Sequence, residues 1–345
     1  MKIVCYVADH GGCGFYRIIL PYSNLKGHEV RIRQAVITPD LYWCDVAVFQ
    51  RVDSDDVIAR MREAKNIGKK VIIDIDDNLH ALPVTNPCSA IFGEGKPATV
   101  RFEKALRTAD LVTVSTQGLA DEYRRFNPNI KVCENFISEK HLELVAPKEI
   151  TGELKRPPEV RIGYVGSPTH AGDVASISQP LVNIAKKYPE VKYVFFGQPP
   201  QLPHTLDHRV EYHPPICALA KESASDFMLR YYREVVALDL DIAVAPLKAN
   251  AFNKCKSAVK MLELGMCGIP IVASCFGPYA AYEYDDDWIQ TPTNAKEWVD
   301  DIDFLVERRT FRDDLATFNL DAIRKRHTTP TSIKEWEAIL DALLL

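Results

Sequence analysis

The sequence lacks three features that would place it in a specialised class of protein. None of its nine cysteines forms a CxxC pair, and several lie in apolar runs, so we expect free thiols in a reducing compartment rather than a disulfide framework. The formal net charge is −5, so no general basic field exists to hold a polyanion. The 16 glycines and 22 prolines among 345 residues exclude a collagen-like or low-complexity chain.

An uninterrupted apolar run is also missing. The longest stretch, residues 261–276, contains a glutamate, two glycines and a proline, and the short apolar run at the N-terminus ends at Asp9. These patterns fit neither a membrane span nor a signal peptide. We therefore expect a cytoplasmic, soluble protein whose first residues form a strand.

Short β-branched segments alternate with helical patterns in both halves of the chain, which is typical of parallel sheets covered by helices. The predicted strands are 3–8, 29–33, 46–49, 70–73, 111–114, 131–133, 160–165, 192–196, 210–213, 241–245 and 269–273. The predicted helices are 53–66, 116–126, 174–187, 224–238, 254–267, 295–307 and 331–345. A polar stretch at 148–159 predicts a linker between a domain at 1–150 and a second at 151–325. The predicted fold is α/β, with two doubly wound Rossmann-like domains facing a cleft.

A glycine-rich loop, DHGGCGFYR at residues 9–17, follows the first predicted strand. Gly12 and Gly14 fit the first two positions of GxGxxG, but Arg17 stands in place of the third glycine, and no P-loop is present. Such a loop lets the backbone approach a phosphate or a sugar beside a helix N-terminus. A tight strand-to-helix turn explains the same residues.

Three carboxylates end a buried strand in VIIDIDDNLHALP, residues 71–83. Asp74, Asp76 and Asp77 could bind a divalent cation, since hard cations prefer clustered carboxylates. Asp76 and the nearby His80 could instead contact a reacting group. Helix capping in a solvated loop is the structural alternative.

A second glycine loop, RIGYVGSPTHAGD at residues 161–173, begins the second half in the same way. Gly166, Ser167 and Thr169 offer backbone and hydroxyl donors that suit phosphate oxygens. A capped helix start is the alternative. Because this turn begins both halves, coincidence is a weaker explanation.

The strongest pattern lies in PLKANAFNKCKSAVKMLELGMCGIPIVAS, residues 246–274. Lys256, Lys260 and Glu263 recur at i, i+4 and i+7 and would share one face of the predicted helix. Near the helix start, Lys256 and Ser257 could bind a diphosphate, and Glu263 could accept hydrogen bonds from both hydroxyls of a ribose. A solvated Lys–Glu face explains the spacing, yet an otherwise apolar helix with three charges on one face favours a ligand.

The segment ELGMCGIPIVAS, residues 263–274, resembles the E-A-x-A-x-G-x-P-V-V-A-S segment of GT-B glycosyltransferases of the GT4 type, and especially compact bacteriophage and bacterial members. Looser matches follow in the family's order over most of the chain: GGCG, STQGLADEYR, ENFIS, RIGYVGS and DIAVAPL.

The resemblance implies retaining transfer from a nucleotide-sugar of the UDP or GDP type, with no metal or other cofactor. The second domain would bind this donor and the first the acceptor, while a terminal helix at 326–345 would pack back on the first. Glu263 would hold the ribose, with Gly166 and Ser167 beside the diphosphate and the Gly12–Gly14 loop closing over it.

Within this reading, Lys256, Lys260 and Ser257 would stabilise the departing diphosphate, and Asp76 and His80 would orient the sugar and acceptor. Cys255 stands where many family members have the first glutamate of E-x7-E, and the basic pair expected after RIGYVG is absent. Lys256 and Lys260 are therefore expected to supply the compensating charge.

Two other functions fit the same residues. One is a metal-dependent transferase using Asp74 and Asp76, and the other is a non-catalytic sugar-nucleotide-binding protein on the same fold. The acceptor is open between a glycan, a lipid-linked sugar, a protein and a hydroxymethylated base in phage DNA. Basic tracts at 230–233 (RYYR) and 324–327 (RKRH) could touch phosphates, although the net charge argues against strong duplex binding.

Overall fold

The computed structural model describes residues 1–147, 150, 159–282 and 292–344. The described strands of the N-terminal half are β1 (Lys2–Tyr6), β2 (Glu29–Arg33), β3 (Val46–Gln50), β4 (Lys70–Ile75), β5 (Leu111–Val114) and β6 (Ile130–Val132). Those of the C-terminal half are β7 (Val160–Gly166), β8 (Val191–Gly197), β9 (Val210–His213), β10 (Ile242–Ala245) and β11 (Ile271–Ala273). All pairings between them are parallel.

Helices connect the strands and cover both sheets. In the first half they are α1 (Gly12–Gly14), α2 (Leu20–Ser23), α3 (Thr38–Trp43), α4 (Asp55–Asn66), α5 (Pro97–Thr108), α6 (Gln117–Tyr123) and α7 (Glu139–Val145). A π-helix, Phe15–Ile19, joins α1 to α2. The later helices are α8 (Ala171–Ser176), α9 (Ser178–Lys187), α10 (Ala224–Ala237), α11 (Ala251–Lys254), α12 (Val259–Met266), α13 (Ala295–Glu307), α14 (Arg309–Arg326) and α15 (Thr329–Leu344).

The strand order places both glycine loops at topological switch points. The first sheet has the order β2-β1-β3-β4-β5-β6 and the second β11-β10-β7-β8-β9. In the first sheet β2 and β3 lie on opposite sides of β1, and in the second β8 and β10 lie on opposite sides of β7. Open α/β sheets bind ligands in the crevice at such a switch point. The two predicted doubly wound domains are thus confirmed.

Two helices that were predicted to be continuous are interrupted in the structure. The helix predicted at 254–267 is interrupted between the end of α11 at Lys254 and the start of α12 at Val259, and in this break the Cys255 carbonyl accepts a hydrogen bond from Thr116 Oγ1 at 2.8 Å. The helix predicted at 174–187 divides into α8 and α9 at Ile177, whose ψ of 7° is not helical. The predicted linker at 148–159, apart from residues 150 and 159, lies outside the described residues.

The terminal helix α15 packs against the N-terminal half, as the resemblance implied. Trp336 is buried edge-on against Tyr22, with ring centroids 5.7 Å apart, and the Arg17 guanidinium lies 5.0 Å from the Trp336 ring. Just before α15, Thr328 forms a parallel bridge with Ile137. The chain therefore crosses between its halves twice.

Candidate functional site

A cavity of about 240 Å³ lies between the two halves, where the carboxyl ends of both sheets meet. Eight of the ten site residues predicted from the sequence line it: Gly12, Asp76, Gly166, Ser167, Lys256, Ser257, Lys260 and Glu263. The folded chain thus collects residues from loops that lie far apart in sequence. Gly14 and His80 are not among the lining residues.

The two glycines of the first loop have different surroundings. A Cβ added at Gly12 would meet nothing within 4 Å, so this residue leaves the cavity wall open. A Cβ at Gly14 would lie 1.8 Å from the Asp9 carbonyl oxygen, and the Gly14 amide already donates to Asp9 Oδ1 at 3.2 Å. Gly14 therefore serves the close packing of the turn and has no amide free for a phosphate.

On the other side of the cavity, two glycines allow close packing, one of them beside a lysine. A Cβ at Gly166 would lie 2.7 Å from Lys260 Nζ and 2.6 Å from the Tyr164 hydroxyl. On the adjacent strand, Gly197 has φ of +84°, and a Cβ there would lie 2.3 Å from the Gly166 carbonyl oxygen. Ser167 follows Gly166 and is exposed at the rim.

The two lysines differ in how their charge is balanced. Lys256, in the break before α12, forms an ion pair of 2.8 Å with Asp77. Lys260, in the first turn of α12, has its Nζ 2.8 Å from the Tyr164 hydroxyl and 4.1 Å from the Tyr164 ring centroid. Burial lowers the pKa of Lys260 to about 8. Among the described residues, no carboxylate forms an ion pair with Lys260.

Glu263 receives hydrogen bonds from both halves of the chain. Tyr16, from the π-helix of the first half, donates to Oε1 at 2.9 Å, and Tyr231, from α10, donates to Oε2 at 3.3 Å. Burial raises the pKa of Glu263 to about 7. The sequence reasoning missed Tyr16 and interpreted Tyr231 as part of a basic tract. The pair of aromatic residues that follows Gly14, Phe15 and Tyr16, was the available signal.

Asp74 is a structural group of the interior. Its fully buried carboxylate accepts from Arg17 Nε at 3.0 Å, from Arg17 Nη2 at 2.8 Å and from the Thr113 hydroxyl at 2.7 Å. Asp74 is one of the two ligands proposed for the metal-dependent alternative, and its carboxylate is already bonded to Arg17 and Thr113 in the interior of the N-terminal half. The described residues contain no group of three or more His, Cys, Asp or Glu side chains suited to a metal.

Asp76 lies at the cavity with one oxygen unused. Its Oδ1 is buried and has no hydrogen-bond partner among the described residues. Burial, together with the neighbouring charge of Asp77, raises the pKa of Asp76. Such an oxygen can accept a hydrogen bond from a ligand hydroxyl.

His80 is held away from the cavity by an aromatic cluster. Its Nε2 lies 3.1 Å from Glu103 Oε1, and its ring stacks on Phe126 with centroids 5.3 Å apart. The residue predicted to contact a reacting group therefore packs in the first half. His170, which lines the cavity, is bonded through Nδ1 to Asp173 Oδ2 at 2.8 Å, and burial lowers its pKa.

Comparison with solved structures identifies the architecture. The chain is similar to sucrose-phosphate synthase from Thermosynechococcus elongatus, with 14% identity and a TM-score of 0.69 over 100% of this chain and 99% of that one. It is also similar to Anabaena HepE in complex with UDP-glucose, with 14% identity and a TM-score of 0.64 over 99% and 100%. The chain has the GT-B fold. Searches against protein-family models and curated protein sequences find no match.

A further GT-B neighbour is larger than this chain. Staphylococcus aureus TarM, in a structure containing UDP, shares 15% identity and a TM-score of 0.58 over 85% of this chain and 55% of TarM. The chain thus spans about half the length of TarM. Within the described residues of this GT-B chain, no helix has the length and apolar character needed to cross a bilayer.

Proposed function

We propose that this protein is a cytoplasmic glycosyltransferase that uses a nucleotide-sugar donor. The observation that carries the proposal is the convergence of Glu263, Lys260 and Gly166 in one cavity at the switch point of the second sheet. Solved structures with the same fold hold UDP or UDP-glucose, which supports a donor of this chemical class.

The charges in the cavity match the parts of such a donor. Glu263 accepts hydrogen bonds from the ribose hydroxyls. Lys260, a partly buried cation without an ion-pair partner among the described residues, binds the diphosphate beside Gly166 and Ser167. Burying a charge is costly unless it is paired, so an anionic ligand supplies what Lys260 lacks.

The reaction proposed is transfer with retention, as the resemblance implies. The bond between the anomeric carbon and the diphosphate oxygen breaks, the acceptor oxygen bonds to that carbon, and the acceptor proton passes to the departing phosphate. Lys256, which Asp77 holds at the cavity wall, meets the charge that develops on the leaving group. Asp76 Oδ1, which has no hydrogen-bond partner among the described residues, accepts a hydrogen bond from a hydroxyl of the sugar or of the acceptor.

The acceptor side is proposed to be a glycan or, secondly, a hydroxymethylated DNA base. The RYYR tract offers little to a nucleic acid, because Arg230 pairs with Glu222 at 2.8 Å and Tyr232 is buried. Mass spectrometry of products from a panel of oligosaccharides and modified DNA separates the two.

Kinetics of two variants test the donor site. Lys256→Ala should lower kcat for donor hydrolysis or transfer by about 10²–10³-fold, as the loss of an oxyanion donor does. Glu263→Gln should mainly raise KM for the nucleotide-sugar, because the ribose contact is similar in the ground and transition states. Lys104→Ala, which removes an exposed ion pair with Asp55, is the control.

The possible outcomes separate the functions. Nucleotide-sugar binding without hydrolysis or transfer would favour the non-catalytic binding protein. Activity that returns after EDTA treatment only with Mg²⁺ or Mn²⁺ would favour the metal-dependent alternative. Wild-type kinetics in both cavity variants would refute the donor-site assignment.

A further inference from the structure

A chain of hydroxyl groups links the two halves of the molecule at Glu263. Tyr16 donates its single hydroxyl proton to Glu263 Oε1 at 2.9 Å. The Tyr232 hydroxyl lies 2.5 Å from the Tyr16 oxygen and must therefore be the donor in that pair. Tyr16 and Tyr232 are both buried, so water does not replace these bonds easily.

These bonds leave the carboxylate with capacity for two more. Each carboxylate oxygen has two lone-pair sites. Tyr16 occupies one site on Oε1 and Tyr231 one on Oε2. One site therefore remains on each oxygen of Glu263, which lines the cavity, and this number equals the two hydroxyls of a ribose.

The bond from Tyr16 comes from the opposite half of the molecule. Tyr16 lies in the π-helix that follows β1, whereas Glu263 lies in α12 and Tyr231 and Tyr232 in α10. We propose that Tyr16 is a positioning residue for the donor nucleoside: it orients the Glu263 carboxylate toward both ribose hydroxyls, so that this subsite is complete only while the two halves are in contact. The inference rests on the proposed function of Glu263.

Tyr16 is not needed to hold the halves together. Thr116 Oγ1 donates to the Cys255 carbonyl at 2.8 Å, and Asn135 Nδ2 donates to Ser257 Oγ at 2.9 Å. The terminal helix adds a further crossing. Removing one hydroxyl at Tyr16 should therefore leave the arrangement of the halves intact and change the orientation of Glu263.

Calorimetric titration with UDP and with 2′-deoxy-UDP tests the proposal in the full-length protein. Tyr16→Phe should weaken UDP binding about tenfold, which corresponds to about 1.4 kcal/mol. It should also reduce the preference for UDP over 2′-deoxy-UDP, and Glu263→Gln should abolish that preference. GDP and 2′-deoxy-GDP serve in the same way if the wild type binds guanine nucleotides instead.

Tyr22→Phe is the matched control, because Tyr22 lies in the same helical segment, is buried, and its hydroxyl has no partner among the described residues. Its affinities should equal those of the wild type. Tyr232→Phe, which removes only the outer bond of the chain, should act in the direction of Tyr16→Phe but more weakly. It decides the question if Tyr16→Phe does not fold, as judged by circular dichroism and thermal melting.

The outcomes for this inference and for the proposed function are distinct. If Glu263→Gln loses the preference for the 2′-hydroxyl while Tyr16→Phe and Tyr232→Phe keep it, the role of Tyr16 is refuted and the donor site stands. If the wild type binds none of these nucleotides, or if Glu263→Gln binds them as the wild type does, the proposed function itself fails.

Discussion

At the scale of single residues, burial brings the pKa values of two oppositely charged groups in the cavity closer to neutrality. It raises the pKa of Glu263 to about 7 and lowers that of Lys260 to about 8. Hydrogen bonds from Tyr16 and Tyr231 offset part of this effect on Glu263. Glu263 is mostly charged above its pKa and Lys260 mostly charged below its own, so the fraction of molecules carrying both charges is largest between about pH 7 and 8.

This overlap predicts the pH dependence of donor binding. The affinity for UDP-glucose, whose diphosphate has no proton that titrates in this range, should be highest between about pH 7 and 8. It should fall at lower pH as Glu263 is protonated, and at higher pH as Lys260 loses its proton. Lys260→Met should remove the alkaline limb and keep the acid limb. Calorimetry over this range is the measurement, and a flat wild-type profile would contradict the assignment.

Asp74 illustrates a carboxylate whose importance is for stability. Its removal leaves the buried Arg17 guanidinium without its ion-pair partner. Asp74→Asn should therefore lower the free energy of unfolding by about 3–5 kcal/mol, the usual cost of breaking a buried pair. Urea denaturation measures this loss.

The control for Asp74 is Asp55→Asn, whose carboxylate pairs with Lys104 on the surface. Its denaturation midpoint should match that of the wild type. If Asp74→Asn were as stable as this control, and EDTA also abolished activity in the wild type, Asp74 would have to be reconsidered as a metal ligand.

At the scale of elements, the turn from β1 into α1 gives different roles to two glycines that have a similar sequence context. Gly14 packs against the Asp9 carbonyl, whereas Gly12 faces the cavity. One position in the turn therefore serves folding and the other serves the ligand. No spacing rule distinguishes them, because the difference depends on which way each Cα–H bond points after the helix has packed.

Alanine substitutions separate the two roles. Gly14→Ala should strongly destabilise the protein, since its Cβ would meet backbone rather than a movable side chain. Gly12→Ala should melt at the wild-type temperature, because an added Cβ meets nothing within 4 Å, but bind UDP-glucose more weakly, because Gly12 lines the cavity. Thermal melting and calorimetry check both expectations. Equal loss of stability in the two variants would show that Gly12 also packs in the turn.

At the scale of the whole molecule, the end of the chain stabilises its beginning. The buried side chains of Ile333, Trp336 and Leu340 on α15 pack in the same apolar cluster as residues of β1, β3 and α10. This cluster contains residues of both sheets. The two halves thus share part of one core, and the cavity lies between them.

Trp336→Ala should lower the free energy of unfolding by about 3–5 kcal/mol, as the loss of a large buried aromatic side chain does. The protein that remains folded should keep its affinity for UDP-glucose, because Trp336 does not line the cavity. Lys334→Ala, an exposed position on the same helix, is the control. Loss of UDP-glucose affinity with unchanged stability would contradict a purely structural role for α15.

The sequence alone determined the architecture and eight of the eighteen residues that line the cavity. Strand positions follow from local apolar patterning, and all eleven predicted strands agree with described strands to within two residues at each end. Gly12 and Gly166 could be located because parallel strands direct the loops at their carboxyl ends to one edge. Lys260 and Glu263 could be located because their spacing places them on one helix face, in a segment that resembles GT-B glycosyltransferases. Apart from that resemblance, these inferences need only neighbouring residues and the rules of sheet connection.

Tertiary structure alone decided which groups are engaged and which are free. Arg17 bonds Asp74, Asp77 pairs with Lys256, and Glu103 bonds His80; the sequence separation in the Lys256 pair is 179 residues. Tyr16 meets Glu263 across 247 residues. Hydrogen bonds and burial act over a few ångströms in space, and local sequence patterns carry no information about which distant side chain will arrive there.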